Sequence, residues 1–146
     1  MIEKNIPPDA SGTPFTTSFP IEWGDCDEAG IVFYPHYFRW FDAAFQRLLK
    51  SVGESQRSLR RHYGVVGTPI LDAGARFCAP ARYDDEIRVT ARILEWKSTT
   101  FRVGYEGTKD EQTVVSGHEI RAFAAMDEAG RLKAVPVPNA FRALFS

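Results

Sequence analysis

Hydrophobic residues alternate with polar ones along residues 15–23, where Phe15, Thr17, Phe19, Ile21 and Trp23 recur at every second position. A period of two predicts a strand, and Pro20 inside it predicts an edge position or a bulge. The period then changes. Tyr37, Phe38, Phe41, Ala44, Phe45, Leu48, Leu49 and Val52 recur three and four apart, which predicts a helix over residues 35–52. So wide and aromatic a stripe belongs to a helix buried on most sides. Pro35 suits its first position and Gly53 its end. Residues 54–63 read as a short polar helix closed by Gly64.

Strand patterns fill the rest. Residues 65–79 form a long apolar run that Pro69 should disturb, and residues 87–93 and 101–105 alternate cleanly. Residues 113–126 predict another strand, with Ile120, Ala122, Ala124 and Met126 on one face. Residues 127–130 read as a turn, 132–135 as a short strand and 138–145 as a terminal turn of helix. One strand, a long buried helix and then four or so antiparallel strands predict an α+β domain whose curved antiparallel sheet wraps around the long helix. A sheet of this kind with an open edge often pairs with a copy of itself.

Composition narrows the class. With 146 residues, 44% hydrophobic and 25% charged, the chain fits one globular domain. Residues 1–14, rich in Pro, Gly, Ser and Asp, read as a flexible tail, leaving residues 15–146 as the domain. Eleven phenylalanines point to large buried surfaces or an apolar ligand pocket. A net charge of −1 gives no basic field for nucleic acid or a membrane surface, so an anionic ligand must be held by a few local groups. Cys26 and Cys78 have neither disulfide-framework nor zinc-site spacing and read as reduced thiols. No signal peptide or apolar run long enough to span a membrane is present, so a cytoplasmic protein is expected.

The candidate chemistry lies in residues 23–35, between the first strand and the long helix. Asp25, Asp27 and Glu28 cluster there around Cys26. The first turn of a helix carries unpaired N–H groups and a partial positive charge, which favour an anion or a developing oxyanion. A carboxylate just upstream can share that spot. Taken singly, each acid reads better as a turn former or cap, but three acids in four positions around one cysteine are less easily read that way. A metal site is not expected, since no histidine or further acid has the spacing.

The segment Gly24-Asp25-Cys26-Asp27-Glu28-Ala29-Gly30-Ile31-Val32-Phe33-Tyr34-Pro35-His36-Tyr37-Phe38-Arg39-Trp40-Phe41-Asp42 resembles the signature of the 4-hydroxybenzoyl-CoA thioesterase family, Pseudomonas-type branch. The resemblance continues in order through Gly67–Ile70, Tyr83–Asp85, Glu95-Trp96 and Glu119–Asp127. It implies the hot-dog fold, a dimer with sites at the subunit interface that often becomes a tetramer, and acyl-CoA thioesterase activity without a cofactor. It implies Asp27 as the catalytic carboxylate, acting as nucleophile or general base, and the Tyr34 N–H as the group that polarises the thioester carbonyl. Lys97 and Lys133 fall where the family contacts coenzyme A phosphates, with Arg57, Arg60 and Arg61 as other sources of charge. Asp42 and Thr68 match positions near the acyl pocket. The family's pocket tryptophan, in the region of Gln56-Arg57, is absent, and His36 stands where the family usually has asparagine. Two other functions compete: a hot-dog hydratase or dehydratase, for which His36 would be the needed histidine, and a non-catalytic acyl-CoA-binding module.

Overall fold

The protein is described by a computed structural model over residues 12–146. Residues 1–11 of the expected tail lie outside the described part. Gly12 and Thr13 donate backbone hydrogen bonds to the carbonyls of Ile93 (2.7 Å) and Phe145 (3.0 Å).

Among the described residues, seven strands and three α-helices follow in order. They are β1 (Phe15–Pro20), α1 (Pro35–Ser51), α2 (Gln56–Tyr63), β2 (Ile70–Phe77), β3 (Glu86–Trp96), β4 (Thr100–Lys109), β5 (Gln112–Ala122), β6 (Ala124–Met126), β7 (Leu132–Ala134) and α3 (Asn139–Ala143). The first five strands make one antiparallel sheet in the order β1-β3-β4-β5-β2, and β6 and β7 form a small hairpin. This is the α+β arrangement the periodicities predict, with α1 lying on one face of the sheet.

The apolar stripe of α1 explains that packing. Tyr37, Trp40, Phe41, Ala44, Phe45, Leu48 and Leu49 are buried, facing Ile87, Val89, Ala91 and Ile93 of β3 and Phe101, Val103 and Tyr105 of β4 within one core. Phe41 stacks flat on Tyr105 with centroids 4.6 Å apart. Burying each large side chain is worth roughly 1.5–3 kcal/mol, so this face, more than helix propensity, holds α1 in place. The helix sits so close to β5 that a Cβ at Gly117 would lie 2.5 Å from the Phe41 ring. Phe123, Phe141 and Phe145 join Trp96 and Tyr63 in an aromatic cluster that is continuous with this core through Phe101.

Boundaries differ from the sequence reading in three places. The first strand ends at Pro20, and Trp23–Asp25 form a 3-10 turn that leaves Trp23 77% exposed. The run 65–79 is regular strand only over Ile70–Phe77, after Pro69, with a single bridge from Gly67 to Ala124. The run 113–126 breaks at Phe123, and the face of β5 turned to the helix carries Glu119 and Arg121 rather than Ile120. The last difference has a physical cause: the two opposite charges satisfy one another and a set of neighbouring groups, so they can be buried. No helix among the described residues is long and apolar enough to cross a membrane.

Candidate active site

Residues 22–34 fold into a tight loop braced by its own backbone hydrogen bonds. The bridge between Cys26 and Val32 makes it a miniature hairpin, and the Asp27 N–H donates to the Ile31 carbonyl (3.0 Å). Asp27 sits at the tip. Its carbonyl accepts from Gly30 N–H (2.9 Å) and its side-chain Oδ1 accepts from Ala29 N–H (2.8 Å), an Asx turn. Gly30 closes the turn at φ 80°, in the left-handed region that glycine enters without strain. The Asp27 side chain is exposed, and its Oδ1 is engaged with its own loop.

Two anchors fix this hairpin on the molecule. Val32 N–H donates to Ala81 carbonyl (2.9 Å), and Phe33 N–H donates to Asp25 carbonyl (2.9 Å). Tyr34 is the N-cap of α1, with Pro35 at the first helical position. The Tyr34 carbonyl accepts from Tyr37 N–H (3.1 Å), while its own N–H belongs to the first helix donors, which have no partner further down the helix. The loop thus delivers a carboxylate and a helix N-terminus from one short segment. Phe33, Tyr34 and Phe77 leave exposed aromatic surface beside it.

Tyr37, one turn further along α1, is 4% exposed, and burial followed by the nearby Cys26 pushes its phenol up to about 12. The folded value lies above the ordinary ~10, so the neutral phenol is the form the fold favours. That contribution is complete below pH ~10 and is lost as pH rises toward about 12, by an amount on the order of 2 kcal/mol. Urea unfolding at about pH 9 and about pH 11.5 should therefore show a steeper loss for the parent than for Tyr37→Phe. Equal slopes would take Tyr37 out of the alkaline transition.

A second polar cluster lies between α1 and β5. Arg121, 3% exposed, donates from Nε to Glu119 (2.8 Å), from Nη1 to the Thr68 carbonyl (2.9 Å) and from Nη2 to Asp42 Oδ1 (2.8 Å). Its guanidinium also lies 4.2 Å over the Phe45 ring. The Tyr105 hydroxyl donates to the same Glu119 oxygen. Burial, then the Glu119 charge, pushes the Tyr105 phenol well above its ordinary value. Burial acts to lower Arg121, but Glu119 and the other acceptors outweigh it and hold the guanidinium charged. Gln46 donates to Asp42 Oδ1 (3.1 Å), and Gln56 donates to Gln46 (3.1 Å) and to the Thr68 hydroxyl (2.9 Å).

Residues 21–145 match the family profile of the thioesterase-like superfamily. The chain belongs to that superfamily. Over 124 residues it is 40% identical to the 4-hydroxybenzoyl-CoA thioesterase of Pseudomonas sp. (strain CBS-3), covering 81% of this chain and 87% of that protein. A crystal structure of a 4-hydroxybenzoyl-CoA thioesterase mutant complexed with 4-hydroxybenzoyl-CoA superposes with a TM-score of 0.85 at 36% identity, over 91% of this chain and 99% of that one. A gentisyl-coenzyme A thioesterase structure gives a TM-score of 0.75 at 31% identity, over 90% and 98% of the two chains. The fold is therefore the hot dog that the signature segment implied.

Within this thioesterase-like chain the six sequence-predicted residues fall in three places. Asp27 and Tyr34 share the hairpin and helix start. Asp42 and Thr68 are joined through Arg121 and the two glutamines. Lys97 lies in the β3–β4 turn and Lys133 on β7, both exposed. Phe123 N–H to Thr99 carbonyl (2.9 Å) and Val137 N–H to Ser98 carbonyl (2.8 Å) seat that turn beside the β6–β7 hairpin. The sequence reading missed Arg121, Glu119, Gln46 and Gln56 as members of the site region. For the first pair, the signal was two opposite charges at positions two apart, and therefore on one face, of β5. The absent tryptophan in the region of Gln56-Arg57 was the signal for Gln56. Among the described residues no group of three His, Cys, Asp or Glu side chains is placed to hold a metal.

Proposed function

We propose that this protein hydrolyses acyl-coenzyme A thioesters to the free acid and coenzyme A, using Asp27 and the Tyr34 N–H. The carrying observation is that one short loop presents a carboxylate at its tip and ends in the N-terminus of the buried helix. The thioester carbonyl oxygen rests against the Tyr34 N–H, where the helix dipole favours the negative charge that develops on it. In the nucleophilic route the free Asp27 oxygen attacks the carbonyl carbon, the C–S bond breaks, and the coenzyme A thiolate leaves and takes a proton from solvent. Water then cleaves the resulting anhydride, returning the carboxylate. In the general-base route Asp27 takes a proton from water, whose oxygen attacks instead; the C–S bond breaks, and the leaving thiolate takes up the proton as Asp27 returns to its carboxylate. Both routes use the same two groups and need no cofactor.

Lys97 and Lys133 receive coenzyme A phosphates as point charges. Asp42 and Thr68 face the acyl end, where Asp42 accepts a hydrogen bond from a polar substituent on an aromatic or short acyl group. β2 is an edge strand whose Ile70, Leu71 and Phe77 are 44%, 61% and 48% exposed. That edge supports a homodimer in which a second copy of β2 extends the sheet and completes the cleft at Asp27, with tetramers built from such dimers. Two free cysteines support a cytoplasmic location.

A thiol-release screen over benzoyl-, 4-hydroxybenzoyl-, phenylacetyl- and fatty acyl-CoA tests the activity directly. Hydrolysis of an aromatic thioester is the expected result. Tight binding with no thiol released would make the protein an acyl-CoA-binding module instead.

A further inference from the structure

The Asp27 hairpin must be held at a fixed distance from the Tyr34 N–H; the bonds of its turn close within residues 27–31, Phe33 N–H ties its base to Asp25 and Val32 N–H ties it to Ala81, but none of these reaches α1. We propose that Asp25 and Arg39 are the positioning residues that lock the hairpin to α1 and so set the Asp27-to-helix geometry; this rests on the thioesterase reading above. Asp25 is the crossing point of the loop. Its N–H donates to the Glu22 carbonyl (3.0 Å), its carbonyl accepts from Phe33 N–H (2.9 Å), and its Oδ2 accepts from Glu22 N–H (2.8 Å). That leaves Oδ1 aimed at the helix, where Arg39 Nη2 donates to it at 3.1 Å. His36, one turn before Arg39, brings Nδ1 to 3.5 Å from the same oxygen and 3.4 Å from Arg39 Nη2.

The two sides of the pair differ in burial: the Asp25 side chain is 9% exposed and that of Arg39 61%. An ion pair with so exposed a partner contributes little to global stability. Its consequence is local. Asp25 lies two residues before Asp27, and Arg39 lies on the helix that starts at Tyr34's cap, so loss of the pair frees the hairpin to shift relative to the oxyanion donor. Acyl transfer tolerates such shifts poorly, a misplacement of about 1 Å costing about a hundredfold.

The test compares Arg39→Met, Arg39→Lys and Asp27→Asn with the parent on the best thioester from the screen. In parallel, amide hydrogen exchange is measured across residues 26–32. Arg39→Met should lower kcat by about 10- to 100-fold with KM within about threefold, and Arg39→Lys should recover most of the loss. The hairpin amides of Arg39→Met should exchange about tenfold faster while those of β4 and β5 do not change. Unchanged exchange at the hairpin overturns the proposal, as does a kcat within twofold of the parent or an effect confined to KM. Because exchange is read without substrate, it tests the clamp on its own: an inert parent would refute the thioesterase reading, and parental turnover in Asp27→Asn would remove Asp27 from the reaction.

Discussion

Asp27→Asn is expected to fold as the parent does and to lose about a thousandfold or more of its thioester hydrolysis. The structural half follows from what the side chain does in the loop. Its Oδ1 accepts the Ala29 N–H at 2.8 Å, and an asparagine amide oxygen can accept the same bond. Gly30 keeps its left-handed turn, the Asp27 N–H keeps its bond to Ile31, and no buried group changes. The melting temperature should therefore move by no more than about 2 °C, the usual range for a surface change. The chemical half follows from charge. A neutral amide neither attacks a thioester carbon nor takes a proton from water, whereas the Tyr34 N–H still polarises the carbonyl and sustains a residual rate. Thiol release at saturating substrate, with thermal unfolding of the same sample, measures both halves. Parental turnover in a folded Asp27→Asn protein would remove Asp27 from the reaction.

How much of this could be read from the chain depended on which interaction decided each element. The stripe from Tyr37 to Val52 has one physical solution, a helix buried on most sides, and α1 occupies it with Pro35 and Gly53 at its borders. The alternation in residues 87–93 and 101–105 likewise has one solution, and Ile87, Val89, Ala91, Ile93, Phe101, Val103 and Tyr105 all point into the core. Asp27 and Tyr34 stood out through their family-like segment; periodicity alone leaves Asp27 an ordinary turn former. In β5, alternation groups Ile120, Ala122 and Ala124 on one face but does not say that charged positions between them are buried. Ala122 and Ala124 are buried, and so are Glu119 and Arg121, at 1% and 3% exposure. What buries the charged pair is a network assembled from Asp42 on α1, Thr68 before β2 and Tyr105 on β4, partners far apart in sequence. Asp25 and Arg39 illustrate the same limit at the site itself, since their pairing exists only once the loop has folded back on the helix.

That network makes Arg121→Met the most destabilising change expected here. Arg121 ties its own strand to α1 and to the segment before β2, and removing it leaves Glu119 buried with the Tyr105 hydroxyl as its remaining neighbour among the contacts described. The Thr68 carbonyl and Asp42 lose a donor at the same time. Methionine can replace the packing of the guanidinium stem against Phe45 but none of the three bonds. Removing one partner of a buried ion pair costs about 3–5 kcal/mol, because the surviving charge is left uncompensated. Against a typical total of about 5–15 kcal/mol this is about a fifth or more, and for a domain of this size it lowers the melting temperature by about 10 °C or more. Most of the loss comes from the stranded Glu119 charge, and this has a second, sharper consequence. Arg121→Met combined with Glu119→Gln keeps an acceptor for Tyr105 while removing the charge, so the double variant should be more stable than Arg121→Met alone by about 1–3 kcal/mol. Urea denaturation of the parent, both single variants and the double variant closes the cycle. A double variant no more stable than Arg121→Met would show that the lost bonds to Asp42 and Thr68, rather than the stranded carboxylate, account for the damage.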